Sequence, residues 1–211
     1  MVDMKKLSGA LQAGDFQTVL NLTRAALDQG MKPTAILNEL IAGLDVVGDQ
    51  FKKGEIYLPE MLVAGKAMQR ALEVLRPKLV ETGAQPAGKA VIGTVRGDVH
   101  DIGKNMFGMM LEGAGFTVKD LGFDVATERF VQAVKEGEFQ ILGMSALLST
   151  TMVEMPKVIN ALNEAGVRDK IKILVGGAPV TQKYADQIGA DGYGVDAATG
   201  ADKARQIMRT S

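Results

Sequence analysis

The sequence predicts an α/β protein in two parts, a four-helix bundle followed by a Rossmann-like (flavodoxin-like) parallel sheet of five strands. Three observations carry the prediction. Apolar residues recur at helical spacings up to about residue 80. Short β-branched runs then alternate with helical stretches to the end of the chain. Between the two lies TGAQPAG (82–88), whose Gly, Pro and small polar residues suit a linker.

The N-terminal part holds four helical stretches. A short one spans 4–11. In the second, Phe16, Val19, Leu20 and Leu27 fall three and four apart around one face. The third carries Ile36, Leu37, Leu40, Ile41, Leu44, Val47 and Phe51, with Pro33 near its start, where a missing N–H is harmless. The fourth begins at Pro59 and carries Met61, Leu62, Met68, Leu72 and Leu75; Pro77 marks its end or a kink. We read residues 1–84 as a helical cap domain and 85–211 as an α/β domain.

In the second part KAVIGTV (89–95), FTVKDLG (116–122), FQILGMS (139–145) and KIKILVG (170–176) read as strands, and ADGYGV (190–195) as an edge strand. Helices are expected over 104–114, 127–136, 152–165, 180–188 and 197–209. Gly115 and Gly166 sit where left-handed helix caps belong. In such a sheet the ligand binds beyond the carboxyl ends of the strands.

Composition narrows the chemistry. A net charge of -1 gives no basic excess for nucleic acid or an anionic membrane surface. No apolar run can span a bilayer, and the N-terminus has no signal-type apolar core, which reads as a cytoplasmic protein. With no cysteine, thiolate catalysis, iron–sulfur clusters and cysteine zinc sites are excluded. The single histidine, His100, excludes a multi-histidine metal site. The absence of Trp and the 5% aromatic content argue against a stacking platform for single strands.

His100 lies in GDVHDIGKN (97–105), where the first strand should hand over to a helix. Asp98, two residues earlier, can accept one ring N–H and leave the other nitrogen as a lone pair for a metal. Gly103 permits close backbone approach to a large ligand. Taken alone these residues have other uses. A loop histidine is commonly just solvated, the glycines suit a tight turn, and a phosphate can sit at a helix N-terminus. No GxxxxGK[ST] or GxGxxG pattern supports a nucleotide here. One imidazole is a poor zinc site, but it suffices for a metal already held by a macrocycle.

Asp98-Val99-His100-Asp101-Ile102-Gly103 resembles the DxHxxG signature of B12-binding domains. Ser145-Ala146-Leu147 resembles that family's SxL element, and Gly176-Gly177 its GG element, each at the end of an expected strand. The segment Gly54-Glu55-Ile56-Tyr57-Leu58-Pro59-Glu60 looks like part of the helical cap in the methionine-synthase type of module. The resemblance covers nearly the whole chain and points to a free-standing corrinoid protein of a methyltransferase system.

That resemblance implies a cobalamin or related corrinoid, cycling through methylcobalamin, cob(I)alamin and cob(II)alamin. His100 becomes the lower axial ligand of cobalt and Asp98 its hydrogen-bond partner. Thr151, six beyond Ser145, stands where many relatives have serine and completes a relay. Ser145, Leu147, Ser149, Gly103, Gly176 and Gly177 line a slot for the nucleotide tail, and Tyr193 and Gly194 lie near it. Ser149 and Thr150 also read as caps of the following helix. Tyr57 reads either as a bulky residue over the upper cobalt face or as an ordinary aromatic. Met61, Met68, Met109 and Met110 read as core filling.

The implied role is a methyl carrier, not catalytic alone. It accepts a methyl group on Co(I) from a methylamine, methanol, betaine or aromatic methyl ether through a substrate-specific methyltransferase. It then passes the group to a second methyltransferase using tetrahydrofolate or coenzyme M, with a reductive activation protein as a further partner. Residues 82–88 would be the hinge that lets the cap move. Competing readings are a cobalamin-dependent sensor, the small subunit of a mutase, and a flavodoxin-like domain without corrinoid. The sensor lacks a helix-turn-helix output, the mutase subunit leaves the helical half without a role, and the last leaves three ordered motifs to chance.

Overall fold

The structure, a computed structural model, describes residues 2–83 and 85–210. The residues group into two compact units, Met1–Pro86 with Glu112–Gly115, and Ala87–Leu111 with Phe116–Ser211. Ala84, the expected last residue of the cap, lies outside the described residues, as does part of the expected linker.

The first unit contains α1 (Met4–Gln12), α2 (Phe16–Asp28), α3 (Pro33–Lys52) and α4 (Leu58–Glu81). Local chemistry starts each helix. Asp3 caps α1 by accepting from the Lys5 N–H, and Asp15 caps α2 by accepting from the Thr18 N–H and hydroxyl. Pro33 opens α3, and the Glu60 carboxylate in the first turn of α4 accepts from the Tyr57 N–H. Helix α1 packs on α3 and α2 on α4. The expected faces bury Val19, Ile36, Leu40, Leu44, Val47, Met61, Met68, Leu72 and Leu75. Full burial of each such side chain contributes about 1.5–3 kcal/mol. One expectation fails here. Phe16 is exposed at the first residue of α2, where the helix has only just left its capping turn. Of the two readings of Pro77, an end or a kink, the end is not met: α4 runs on to Glu81. Pro77 lies on the exposed side, where the carbonyl it leaves unpaired can be solvated.

The second unit is the parallel sheet with its helices. In chain order they are β1 (Gly88–Thr94), α5 (Ile102–Gly113), β2 (Phe116–Asp120), α6 (Thr127–Glu136) and β3 (Ile141–Ser145). There follow α7 (Ser149–Met152), α8 (Glu154–Glu164), β4 (Lys172–Gly176), α9 (Gln182–Ile188), β5 (Gly192–Gly194) and α10 (Ala197–Thr210). The helix expected over 152–165 is thus two pieces, broken at Val153. Gly115 and Gly166 have the expected positive φ, +88° and +67°.

The strand order is β2-β1-β3-β4-β5, all pairs parallel. Alternation along the strands serves two helical layers. Val91, Leu142, Ile173 and Val175 join Phe130, Met155, Ile159 and Leu162 in one apolar cluster. Ile92 faces α5, where Gly108 allows close packing; a Cβ there would lie 2.8 Å from the Ile92 Cδ1. β1 and β3 are neighbours although β2 lies between them in sequence, so the winding reverses there. A crevice opens at such a switch point, beyond the carboxyl ends.

No helix among the described residues is long and apolar enough to cross a membrane.

Candidate functional site

One register row brings the expected motifs together. Thr94 pairs with Ser145, Ser145 with Gly176, and Gly176 with Gly194, so the last residues of β1, β3, β4 and β5 form a line across the sheet. The Thr94 and Ser145 hydroxyls meet at 2.9 Å. Every loop that leaves this line starts at the same level.

The loop after β1 turns at Gly97, with φ +78°. It buries the Asp98 side chain completely. Asp98 Oδ1 accepts from the His100 N–H at 3.0 Å and faces His100 Nδ1 at 2.8 Å. Oδ2 accepts from the Leu147 N–H at 2.7 Å and the Thr151 hydroxyl at 2.6 Å. Burial alone would raise the Asp98 pKa. The four hydrogen bonds outweigh it and hold the carboxyl well below the usual carboxylate range. An ionised carboxylate only accepts, so Nδ1 carries the proton and Nε2 keeps a lone pair. The His100 side chain is 47% exposed, open to a ligand from outside the fold. Thr151 itself is buried.

Around this pair Val99 and Ile102 are exposed apolar residues, as are Leu147 and Leu148 from the loop after β3. Asp101 opens α5 by accepting from the Asn105 N–H at 2.8 Å through its carbonyl and from the Asn105 side chain at 3.0 Å.

A cavity of about 320 Å³ opens beside the line of strand ends; Gly103, Ser145, Gly176, Gly177 and Gly194 line it, with Phe107 at one wall. Its shape depends on missing side chains. A Cβ at Gly177, where φ is +120°, would lie 1.8 Å from the Ala146 carbonyl oxygen. One at Gly176 would lie 3.0 Å from the Gly194 oxygen.

Several expected residues fall elsewhere. Leu147 and Ser149 do not line the cavity. The Leu147 main chain is drawn to Asp98, and Ser149 begins α7 as an exposed residue. Ser149 is no cap either: Leu148 holds that position and no side chain caps the helix. Tyr193 packs its ring against the apolar cluster of the sheet, on the alternate side of its strand from the cavity-lining Gly194. Tyr57 belongs to the helical unit, at the N-terminus of α4, and is 70% exposed.

Residues not singled out by motif also brace the site. Lys104 is buried and donates to Asp120 at the end of β2. Asp124, between β2 and α6, accepts from the Gly97 N–H at 2.7 Å. A buried lysine directly after the DxHxxG motif was a readable signal. Asp124 left none.

The arrangement fits a corrinoid. Among the described residues no three His, Asp or Glu side chains gather to hold a bare ion. A single tautomer-fixed imidazole is the donor set for a metal that brings its own equatorial ligands. A glycine-walled slot beside it suits a flat or ring-bearing appendage that side chains would exclude.

Comparison with known proteins points the same way. Residues 88–202 match the B12 binding domain family, and residues 4–76 match a second family described as a B12 binding domain. Trimethylamine corrinoid protein 1 of Methanosarcina acetivorans is 41% identical over 206 residues, covering 96% of this chain and 95% of that protein. A crystal structure of a cobalamin-binding protein from Desulfitobacterium hafniense is similar with a TM-score of 0.83 at 30% identity, over 98% of each chain. The crystal structure of the methanol:cobalamin methyltransferase complex from Methanosarcina barkeri gives a TM-score of 0.83 at 32% identity. It covers 97% of this chain and 79% of that one. This chain therefore belongs to the B12-binding corrinoid proteins, and its cofactor is a corrinoid.

Proposed function

We propose that this chain is a methyl carrier, with His100 as the lower axial ligand of its corrinoid. The donor is a methylamine, methanol, betaine or aromatic methyl ether, used by a substrate-specific methyltransferase. A second methyltransferase delivers the group to tetrahydrofolate or coenzyme M, and a reductive activation protein restores the carrier. The single observation that carries the reading is the Asp98–His100 pair at 2.8 Å, with Thr151 2.6 Å behind it. Its relatives support the system: the similar proteins are described as a trimethylamine corrinoid protein and as part of a methanol:cobalamin methyltransferase complex. We also propose residues 1–84 as the cap domain and 85–211 as the corrinoid-binding domain.

When bound, the corrinoid supplies a cobalt centre that takes up and releases a methyl group. The protein's part would be to present His100. Asp98 holds Nδ1–H, so Nε2 would be the atom offered to the cofactor, and Thr151 keeps Asp98 in place. Gly176 and Gly177 keep open the space for the nucleotide tail, and Ser145 presents a hydroxyl at its wall.

The experiment uses the fact that the sequence has one histidine. Reconstitution with hydroxocobalamin should give a coloured protein. In the Co(II) form, ¹⁵N-histidine should change the axial nitrogen hyperfine pattern of the electron paramagnetic resonance spectrum. His100→Ala should remove that nitrogen, and methyl transfer should be seen with a cognate methyltransferase. An unchanged axial nitrogen in the variant would overturn the assignment.

A further inference from the structure

We propose that Asp124 is a positioning residue for His100, bracing the ligand loop through Gly97 and the Asp98 main chain. The inference rests on the reading of His100 as the axial ligand. Asp124 is the non-glycine residue with positive φ among the described residues, at +50°. An L-residue there is strained, and aspartate is among the few that tolerate it.

The strain is held by two hydrogen bonds to the ligand loop. The Asp124 carboxylate accepts from the Gly97 N–H at 2.7 Å. Its own N–H donates to the Asp98 carbonyl at 2.9 Å. The neighbours tie down the turn itself: the Thr94 N–H donates to the Gly122 carbonyl and the Val125 N–H to the Thr94 carbonyl, each at 3.0 Å.

Asp98 is thereby gripped at both ends. Its carboxylate is fixed by Leu147, Thr151 and His100, and its carbonyl by Asp124. A side chain held at one end only can swing about its backbone. Held at both, Asp98 defines where His100 starts, two residues on. Gly97, also left-handed, has its N–H oriented by the same carboxylate.

Two variants of the full chain separate positioning from folding. Asp124→Asn keeps an acceptor and tolerates the left-handed turn. Asp124→Gly keeps the turn and removes the acceptor. In the ligand-free protein, amide hydrogen exchange at Gly97 should rise about tenfold in Asp124→Gly, as loss of its hydrogen bond to a charged group predicts, and exchange at His100 should rise with it as the loop loosens around Asp98. The thermal transition should stay close to wild type. After reconstitution with hydroxocobalamin, the Co(II) form should show a smaller fraction with the histidine nitrogen bound, while Asp124→Asn restores both readouts. Wild-type exchange and wild-type coordination in Asp124→Gly would overturn the proposal, as would an Asp124→Asn variant as impaired as the glycine. A wild-type Co(II) spectrum without the histidine nitrogen would instead sink the reading of His100 as the ligand, with the exchange data still deciding whether Asp124 braces the loop.

Discussion

The loop after β1 and the turn after β4 serve the same site by opposite means. The first is built from side chains: a buried carboxylate with four donors holds an imidazole. The second is built from their absence, with Gly176 and Gly177 where any Cβ meets a carbonyl. The difference teaches where each tolerates change. A hydrogen-bonded site loses function in steps as partners are removed. A steric site has little middle ground, because packed backbone cannot give.

Gly177→Ala should therefore be the most damaging substitution. With φ at +120° and a Cβ 1.8 Å from the Ala146 oxygen, the turn must rearrange. We expect a stability loss of about 3 kcal/mol or more, and no corrinoid retained on gel filtration. Wild-type retention would break the contrast between the two regions.

Asp98→Asn should come next. The amide NH₂ would face either the His100 or the Leu147 N–H, leaving buried donors opposed, at a cost of about 2–3 kcal/mol near neutral pH. The sign of the pH dependence follows from the depressed Asp98 pKa. The folded state favours the ionised form, so the wild-type advantage is complete above about pH 4, the unfolded value. It is lost as pH falls through the much lower folded value. Urea unfolding of both proteins from neutral pH downward should show the gap narrowing in acid; a gap that widens would contradict the hydrogen-bond account.

Gly103→Ala should be the mildest. A Cβ there meets nothing within 4 Å, so the ligand-free protein should keep its stability within about 0.5 kcal/mol. Gly103 lines the cavity, however, so hydroxocobalamin affinity should fall. A variant silent in folding but weaker in binding would locate the cofactor at that wall; equal affinity would place it elsewhere.

Much of this was legible because period and motif are local. The alternation of strands and helices fixed the sheet, and strand-end motifs fell into one row because parallel register aligns carboxyl ends. Gly103, Ser145, Gly176 and Gly177 lie at the cavity, and Thr151 beside Asp98, as the resemblance to B12-binding domains implies. Other features rest on geometry that no short pattern encodes. Asp124 reaches Gly97 across 27 residues through a left-handed turn, a conformation without periodicity. Leu147 serves through its main chain, which its residue type does not announce. Tyr193 packs on the apolar layer, a side that the sequence does not reveal because β5 has three residues, too few to display an alternation. Residue type leaves Pro77 open as an end or a kink, and its exposure lets α4 run on past it.

Two of the four groups that hold Asp98 ionised are main-chain N–H groups, those of His100 and Leu147. Side-chain replacement at either position, proline excepted, leaves its donor in place. Part of the charge state of the site is thus inherited from the course of the chain. The residue at position 147, and even the one at 100, can be replaced while Asp98 keeps both of these main-chain donors. If position 100 faces the metal, as proposed, its residue is free to change over a fixed electrostatic floor, so new ligand chemistry can be tried without rebuilding the loop beneath it.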